Sequence, residues 1–323
     1  MARTRLYRNG VLEKENFPPA DVSDFLPDPT ATVWLDMCFP TEEDLATISE
    51  ELGLHKLAVE DAVHEHQRPK VDRYDTHWFL TAYGVRLDPD TGTLAKSEVA
   101  AFITERALVT VRKDEHFDID AVVERWDSAA ELAKGGVGFL LHGLLDYIVD
   151  GHFEAVQALD EEIETLEDLV FAENVDHREL QRRSLRLRKS LVTLRRVVLP
   201  MREVVNSLMR RDHQITTDEL VPYFQDVYDH VLRASEWTES LRDMITTLRE
   251  TQLNLQGNRL NMIMKKVTSW AAIIAVPTAV TGFYGQNVPY PGFNQSWGFW
   301  LSVIIMIILS AGLYVLFRRR DWL

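Results

Sequence analysis

Residues 281–300, TGFYGQNVPYPGFNQSWGFW, carry no charge but offer four side-chain amides, from Gln286, Asn287, Asn294 and Gln295. Neutral amide oxygens accept hydrogen bonds from the water shell of a hard cation without gripping it as a carboxylate does. The chemistry that fits is the transient holding of a hydrated ion. A second set of weakly polar groups lies just before this stretch. At alternating steps of three and four residues, one helical face passes Glu250, Asn254, Gly257 or Asn258, Asn261, Met264, Thr268, Ala271, Ala275, Thr278 and Gly282. Beyond Met264 nothing on this face ionises. Ala271, Ala272, Ala275 and Ala279 permit close approach of neighbouring helices. The face reads either as the lining of a narrow aqueous passage or as a seam between helices. Pro277 cannot donate to the carbonyl of Ile273, which leaves an acceptor free there. Zinc or copper ligation would call for His or Cys, and residues 267–317 contain neither.

A different constellation, EDAVHEHQRPKVD at 60–72, offers His64 and His66 as metal ligands. They make a membrane-tethered metal-dependent hydrolase a rival reading. No HExxH or nucleophile motif accompanies them, so the pair reads as structural. No GxxxxGK[ST] loop is present to couple the chain to ATP.

The elements that must position the amide stretch are two apolar runs. Val267 to Tyr284 is 18 residues without a charge, and Gly298 to Phe317 is 20. At ~1.5 Å per residue each spans roughly one hydrocarbon core. Lys265 and Lys266 precede the first run, and Arg318, Arg319 and Arg320 follow the second. The positive-inside rule puts both ends in the cytosol and the amide stretch outside. The start of the chain lacks the apolar core of a signal peptide, so the N-terminal part is expected to stay in the cytosol. The expected location is the cell (plasma or inner) membrane, with the lipid bilayer as a partner. A membrane-anchored sensor without a pore is a third class of reading.

Most of the chain lies before these runs. Its 323 residues carry a net charge of −15, which argues against a nucleic-acid partner. The single cysteine, Cys38, can form no internal disulfide. Residues 1–138 read as a cytosolic α/β domain. Strands are expected at 32–37, 76–87, 96–103 and 107–113, and helices at 41–52 and 118–133. Residues 139–221 read as two antiparallel cytosolic helices of opposite charge. Ten acids and no Lys or Arg fall in 139–173, and eleven bases fall in 178–211. Two such helices would attract along their length, although exposed pairs contribute only ~0.2–1 kcal/mol each. Residues 222–284 then read as one helix, ~90 Å long, running from the cytosol into the first span. An extracellular loop at 285–297, the second span at 298–317 and a basic tail at 318–323 complete the division. A single long helix needs neighbours, and symmetric self-association supplies them.

The stretch Gly285-Gln286-Asn287, following GFY, resembles the Gly-Met-Asn signature of the CorA family of divalent-cation channels. HQRPKVD (66–72), VPYFQDVYDHV (221–231), the two apolar segments and the ending RRRDWL also look like that family, so the resemblance covers most of the chain. It implies a funnel-shaped homopentamer with the α/β domain inside, a long-helix stalk and two C-terminal transmembrane helices. It implies uptake of Mg2+, with Co2+ or Ni2+ also possible cargo, driven by the membrane potential through a pore with Gly285, Gln286 and Asn287 at its entrance. Asn261, Met264, Val267, Ala275 and Thr278 match pore-lining or gate positions. Helical spacing points to Thr268 where the resemblance points to Val267, and Ala271 lies on the same face. The family's regulatory Mg2+ site maps to Asp226 and, across a subunit interface, Asp88 or Asp90. Gln286 departs from the signature methionine, and the loop lacks acidic residues. This leaves Zn2+ or another transition metal as an alternative cargo.

Overall fold

A computed structural model describes residues 2–64, 67–88, 91–172, 176–210, 215–286 and 288–323. The chain divides into two compact units, residues 1–246 and 247–323.

In the first unit seven strands form one sheet: β1 (Ala2–Arg8), β2 (Val11–Glu15), β3 (Ala31–Cys38), β4 (Lys70–Arg73), β5 (Trp78–Asp88), β6 (Thr93–Ile103) and β7 (Ala107–Arg112). Their order is β2-β1-β3-β7-β6-β5-β4. Every neighbouring pair is antiparallel except β3 with β7. The central strands are apolar on both faces because helices cover both faces. On one side Val33, Leu35, Met37, Ala100, Phe102, Val109 and Val111 pack with residues of α2 (Glu42–Leu52) and α3 (Lys56–Val63), near the short α1 (Val22–Phe25). On the other, Trp34, Leu80, Ala82, Val99, Ala101, Ile103 and Leu108 join a larger core. Its helical partners are α4 (Ile119–Ser128), α5 (Val137–Phe171), α6 (His177–Leu208) and the first turns of α7 (Val221–Tyr284). Helix starts follow ordinary capping chemistry. Thr41 and Asp44 form a reciprocal capping box at α2, Asp118 accepts from Ala121 N–H at α4, and Asp176 caps α6. Gly53 ends α2 in the left-handed conformation, where a residue without Cβ meets no steric cost.

Two buried polar arrangements fix the sheet. Asp36 on β3 accepts from Arg112 Nε at 3.1 Å and Nη2 at 2.6 Å, and from the Thr110 hydroxyl at 2.7 Å. Glu98 on β6 accepts from Lys113 Nζ at 2.6 Å and from the Tyr83 hydroxyl at 2.8 Å. Lys113 also donates to the carbonyl of His64, and the Tyr83 hydroxyl lies beside the carbonyl of Gln67.

The expected attraction between acidic and basic helices takes another form. Helices α5 and α6 do pack together, but among the described residues no ion pair joins them. Each instead buries an apolar stripe, Leu159, Ile163 and Leu166 on α5 and Leu187, Leu191 and Leu194 on α6. Exposed pairs contribute too little to set the contact, whereas each buried leucine contributes ~1.5–3 kcal/mol. The acids and bases turn elsewhere: Asp146 and Asp150 pair with Arg125 of α4, and Arg195 pairs with Glu239 of α7.

The second unit holds the remainder of α7, which continues to Tyr284, and α8 (Ser296–Arg319). Both helices contain stretches long and apolar enough to cross a membrane, and only 6% of each stretch is buried in the chain. Soluble core helices of this apolarity would be enclosed, so these faces need lipid or protein around them.

Candidate ion-conducting site

The amide stretch begins where α7 ends. Gly285 N–H donates to the Thr281 carbonyl at 2.8 Å, and Gln286 N–H donates to that of Phe283 at 3.3 Å. A Cβ at Gly285 would lie 2.9 Å from the Thr281 carbonyl oxygen, closer than side chains tolerate. Glycine at this position therefore follows from how the helix closes. Tyr290 then folds back, its hydroxyl donating to the Tyr284 carbonyl at 3.0 Å. Its ring meets Tyr284 and Phe293 edge-on, with centroids 5.0 and 5.3 Å away. At the far end, the backbones of Gly292 and Gly298 approach so closely that a Cβ on Gly298 would sit 2.4 Å from the Gly292 carbonyl oxygen. The turn is thus pinned at both ends by its own aromatics and glycines, with no charge involved. Gln286 is exposed within it. Asn287, the proposed centre of the filter, lies outside the described residues.

Below the turn, Asn261, Met264, Val267, Thr268, Ala271, Ala275 and Thr278 are all exposed along α7. Met262 and Trp270, on other faces, are 57% and 52% exposed, so exposure in a single chain does not choose between the Val267 and Thr268 registers. Thr278 and Thr281 donate to the carbonyls of Ile274 and Pro277 at 3.1 and 2.8 Å. This spends their protons on the helix and leaves oxygen lone pairs for other donors.

In the first unit Asp226 stands on the exposed face of α7, opposite the buried Phe224 and Val227. Among the described residues no cation pairs with it. Asp88 ends β5, where one carboxylate oxygen accepts from Thr91 N–H at 3.3 Å and its carbonyl accepts from Gly92 N–H at 2.8 Å. Asp90 lies outside the described residues. Helix α6 holds this turn: Arg186 donates to the Thr91 carbonyl at 3.0 Å and Ser190 to the Gly92 carbonyl at 3.1 Å. Sequence reasoning missed these two supports. The basic run that contains Arg186 carried no signal for that one contact.

The rival metal ligands fare differently. His64 closes α3, its Nδ1 lying 2.8 Å from the carbonyl of Glu60 one turn back. His66 lies outside the described residues. One further group, Asp146, Asp150 and His230, brings its ligand atoms within 4.8 Å of one another. Arg125 already donates to both carboxylates, at 2.6 and 2.7 Å, and so supplies their counter-charge.

Comparison with known proteins agrees with this layout. The family model described as CorA-like Mg2+ transporter protein matches residues 30–319. The chain is 30% identical over 318 residues to the cobalt/magnesium transport protein CorA of Thermotoga maritima, covering 97% of this chain and 90% of that protein. At greater distance it is 23% identical over 307 residues to the zinc transport protein ZntB of Yersinia enterocolitica, covering 94% and 92%. Its fold overlays the complete structure of the CorA magnesium transporter from Methanocaldococcus jannaschii with a TM-score of 0.79 at 26% identity, covering 100% of this chain and 99% of that one. The shared architecture is a mixed α/β N-terminal domain, a long helix and C-terminal apolar helices.

Proposed function

The chain belongs to the CorA-like Mg2+ transporter protein family, whose members move divalent cations across membranes and are not enzymes, and from that premise we propose that it conducts Mg2+ passively into the cell. Several copies, five by the resemblance, enclose one pore lined by the α7 face from Asn261 to Thr278. The observation that carries this reading is the uncharged, amide-bearing turn pinned between two membrane-length helices. Mg2+ gives up its water reluctantly, and a ring of Asn287 amides with Gly285 and Gln286 can accept hydrogen bonds from that water. A ring of carboxylates would hold the ion longer, whereas conduction needs weak, repeated holding. Inside-negative potential supplies the drive, roughly 4.6 kcal/mol per 100 mV for a dication.

Regulation by internal Mg2+ fits the donor chemistry of the first unit. Asp226 offers hard carboxylate oxygens from an exposed helix face, and Asp88 sits on a turn braced by Arg186 and Ser190. Asp226 with Asp88 or Asp90 of a neighbouring subunit would hold the ion. Its charge would offset the repulsion between those carboxylates.

The test is flux into liposomes, with Mg2+, Co2+, Ni2+ and Zn2+ compared side by side. Mg2+ entry that Asn287→Ala abolishes supports the reading. A clear preference for Zn2+ would assign the Gln286 variant to a transition metal instead.

A further inference from the structure

The chain is strongly acidic overall, yet its membrane unit is basic. Residues 247–323 hold seven Lys and Arg against only Glu250 and Asp321, a net of +5 in a chain of −15. Five of the seven, Lys265, Lys266, Arg318, Arg319 and Arg320, stand at the ends of the two apolar stretches. All five are exposed, and among the described residues no carboxylate pairs with any of them.

The end of the chain is built rather than frayed. After α8, Asp321 adopts a positive φ of 53°. This reverses the backbone, so that Trp322 N–H donates to the Phe317 carbonyl at 3.0 Å. The indole lies flat on the Phe317 ring, with centroids 5.6 Å apart and planes within 9°. Left-handed backbone is uncommon outside glycine, though Asp tolerates it better than most. The turn returns an indole to the level of the last apolar residue. Tryptophan favours that depth because its ring sits at the headgroup boundary. The three arginines fall between Phe317 and Trp322 in the chain, two at the end of the helix and one in the turn.

We propose that this turn, Phe317 to Trp322, is a binding site for anionic phospholipid headgroups of the inner leaflet. Trp322 would fix its depth and Arg318, Arg319 and Arg320 would take the phosphates. Guanidinium groups pair with phosphate oxygens through two parallel hydrogen bonds, which makes arginine the fitting residue. Lys265 and Lys266 add charge at the same leaflet without that geometry. The proposal rests on the two-span topology with both ends inside, and not on which ion the protein conducts.

The test therefore reads lipid, not flux. Full-length protein is purified in mild detergent with equal phosphatidylglycerol and phosphatidylcholine, and the retained lipids are quantified. At about 1 kcal/mol for each basic residue near the membrane surface, the three arginines together should give a preference of about tenfold or more for phosphatidylglycerol. Replacing the three arginines together by glutamine should lower the ratio at least about fivefold, leaving only what Lys265 and Lys266 contribute. Trp322→Ala should lower it part of the way, and Arg249→Gln with Arg259→Gln should leave it unchanged. The wild-type preference should also fall as salt rises, because these charges are exposed. That arm needs no variant. No preference in the wild type, a preference undiminished in the triple variant, or one indifferent to salt each overturns the proposal.

Discussion

Gly285→Ala is the sharpest perturbation of the filter, because the structure sets its cost. The added Cβ would lie 2.9 Å from the Thr281 carbonyl oxygen, and the obstacle is backbone rather than a movable side chain. The same carbonyl accepts the Gly285 N–H at 2.8 Å, so relieving the clash stretches the bond that closes α7. Overpacking of this kind costs about 1–3 kcal/mol, which lowers the population of the native turn roughly 5- to 150-fold against alternatives. Gly257→Ala is the matched control: it lies on the same helix, and its Cβ would meet nothing within 4 Å. There alanine should favour the helix by about 1 kcal/mol. Both proteins are reconstituted at equal density and Mg2+ entry is measured at an imposed potential, with thermal midpoints as a check on folding. Gly285→Ala should lose most of its entry rate while Gly257→Ala keeps it. Wild-type entry through a normally folded Gly285→Ala protein would refute the link between this turn and conduction.

Three further outcomes follow from the same structure. Asp226→Ala should weaken inhibition by internal Mg2+ in recordings with that ion varied on the cytosolic side; unchanged sensitivity would remove Asp226 from regulation. Asp36→Ala leaves Arg112 buried without its carboxylate; breaking such a pair costs about 3–5 kcal/mol, visible as a lower thermal midpoint, and a shift under about 1 kcal/mol would contradict the assignment. His152 is fully buried, donates Nε2–H to the Tyr83 carbonyl at 2.7 Å and is pushed by burial from 6.5 down to about 4. The native state holds this ring neutral while the unfolded chain takes up a proton below 6.5. Its contribution, up to about 3 kcal/mol, is therefore complete above pH 6.5 and lost as pH falls toward 4. Thermal midpoints should drop from pH 7 to pH 5, and His152→Phe should flatten that dependence.

The sequence was most legible where one physical term dominates. Alternating apolar residues marked β3, β6 and β7 closely, because burial on both faces leaves few other conformations for TVWLDM or ALVTVRK. The long helix was equally plain: between Pro222 and Tyr284 only Pro277, Gly257 and Gly282 interrupt it, and the structure gives α7 as Val221–Tyr284. The edge of the sheet was not legible. Strand β2, VLEKE, is exposed throughout, and β4, KVDR, is short and charged, so both owe their pairing to a neighbour rather than to their own pattern. The span expected as helix at 118–133 breaks near Ala129, where α4 gives way to a 3-10 turn over Ala130–Gly135. At the site, the amides and the small-residue face could be read directly. The supports could not, because Tyr290 reaching Tyr284 and Arg186 reaching Thr91 are made by the fold.

The central claim is that the chain forms a potential-driven pathway for a hydrated dication. The most direct measurement is the reversal potential of purified protein in a planar bilayer under a tenfold Mg2+ gradient without ATP. A pathway selective for a doubly charged ion should reverse near about 30 mV, the potential at which 4.6 kcal/mol per 100 mV balances a tenfold gradient. A membrane that stays silent to Mg2+, Co2+, Ni2+ and Zn2+ alike would contradict it.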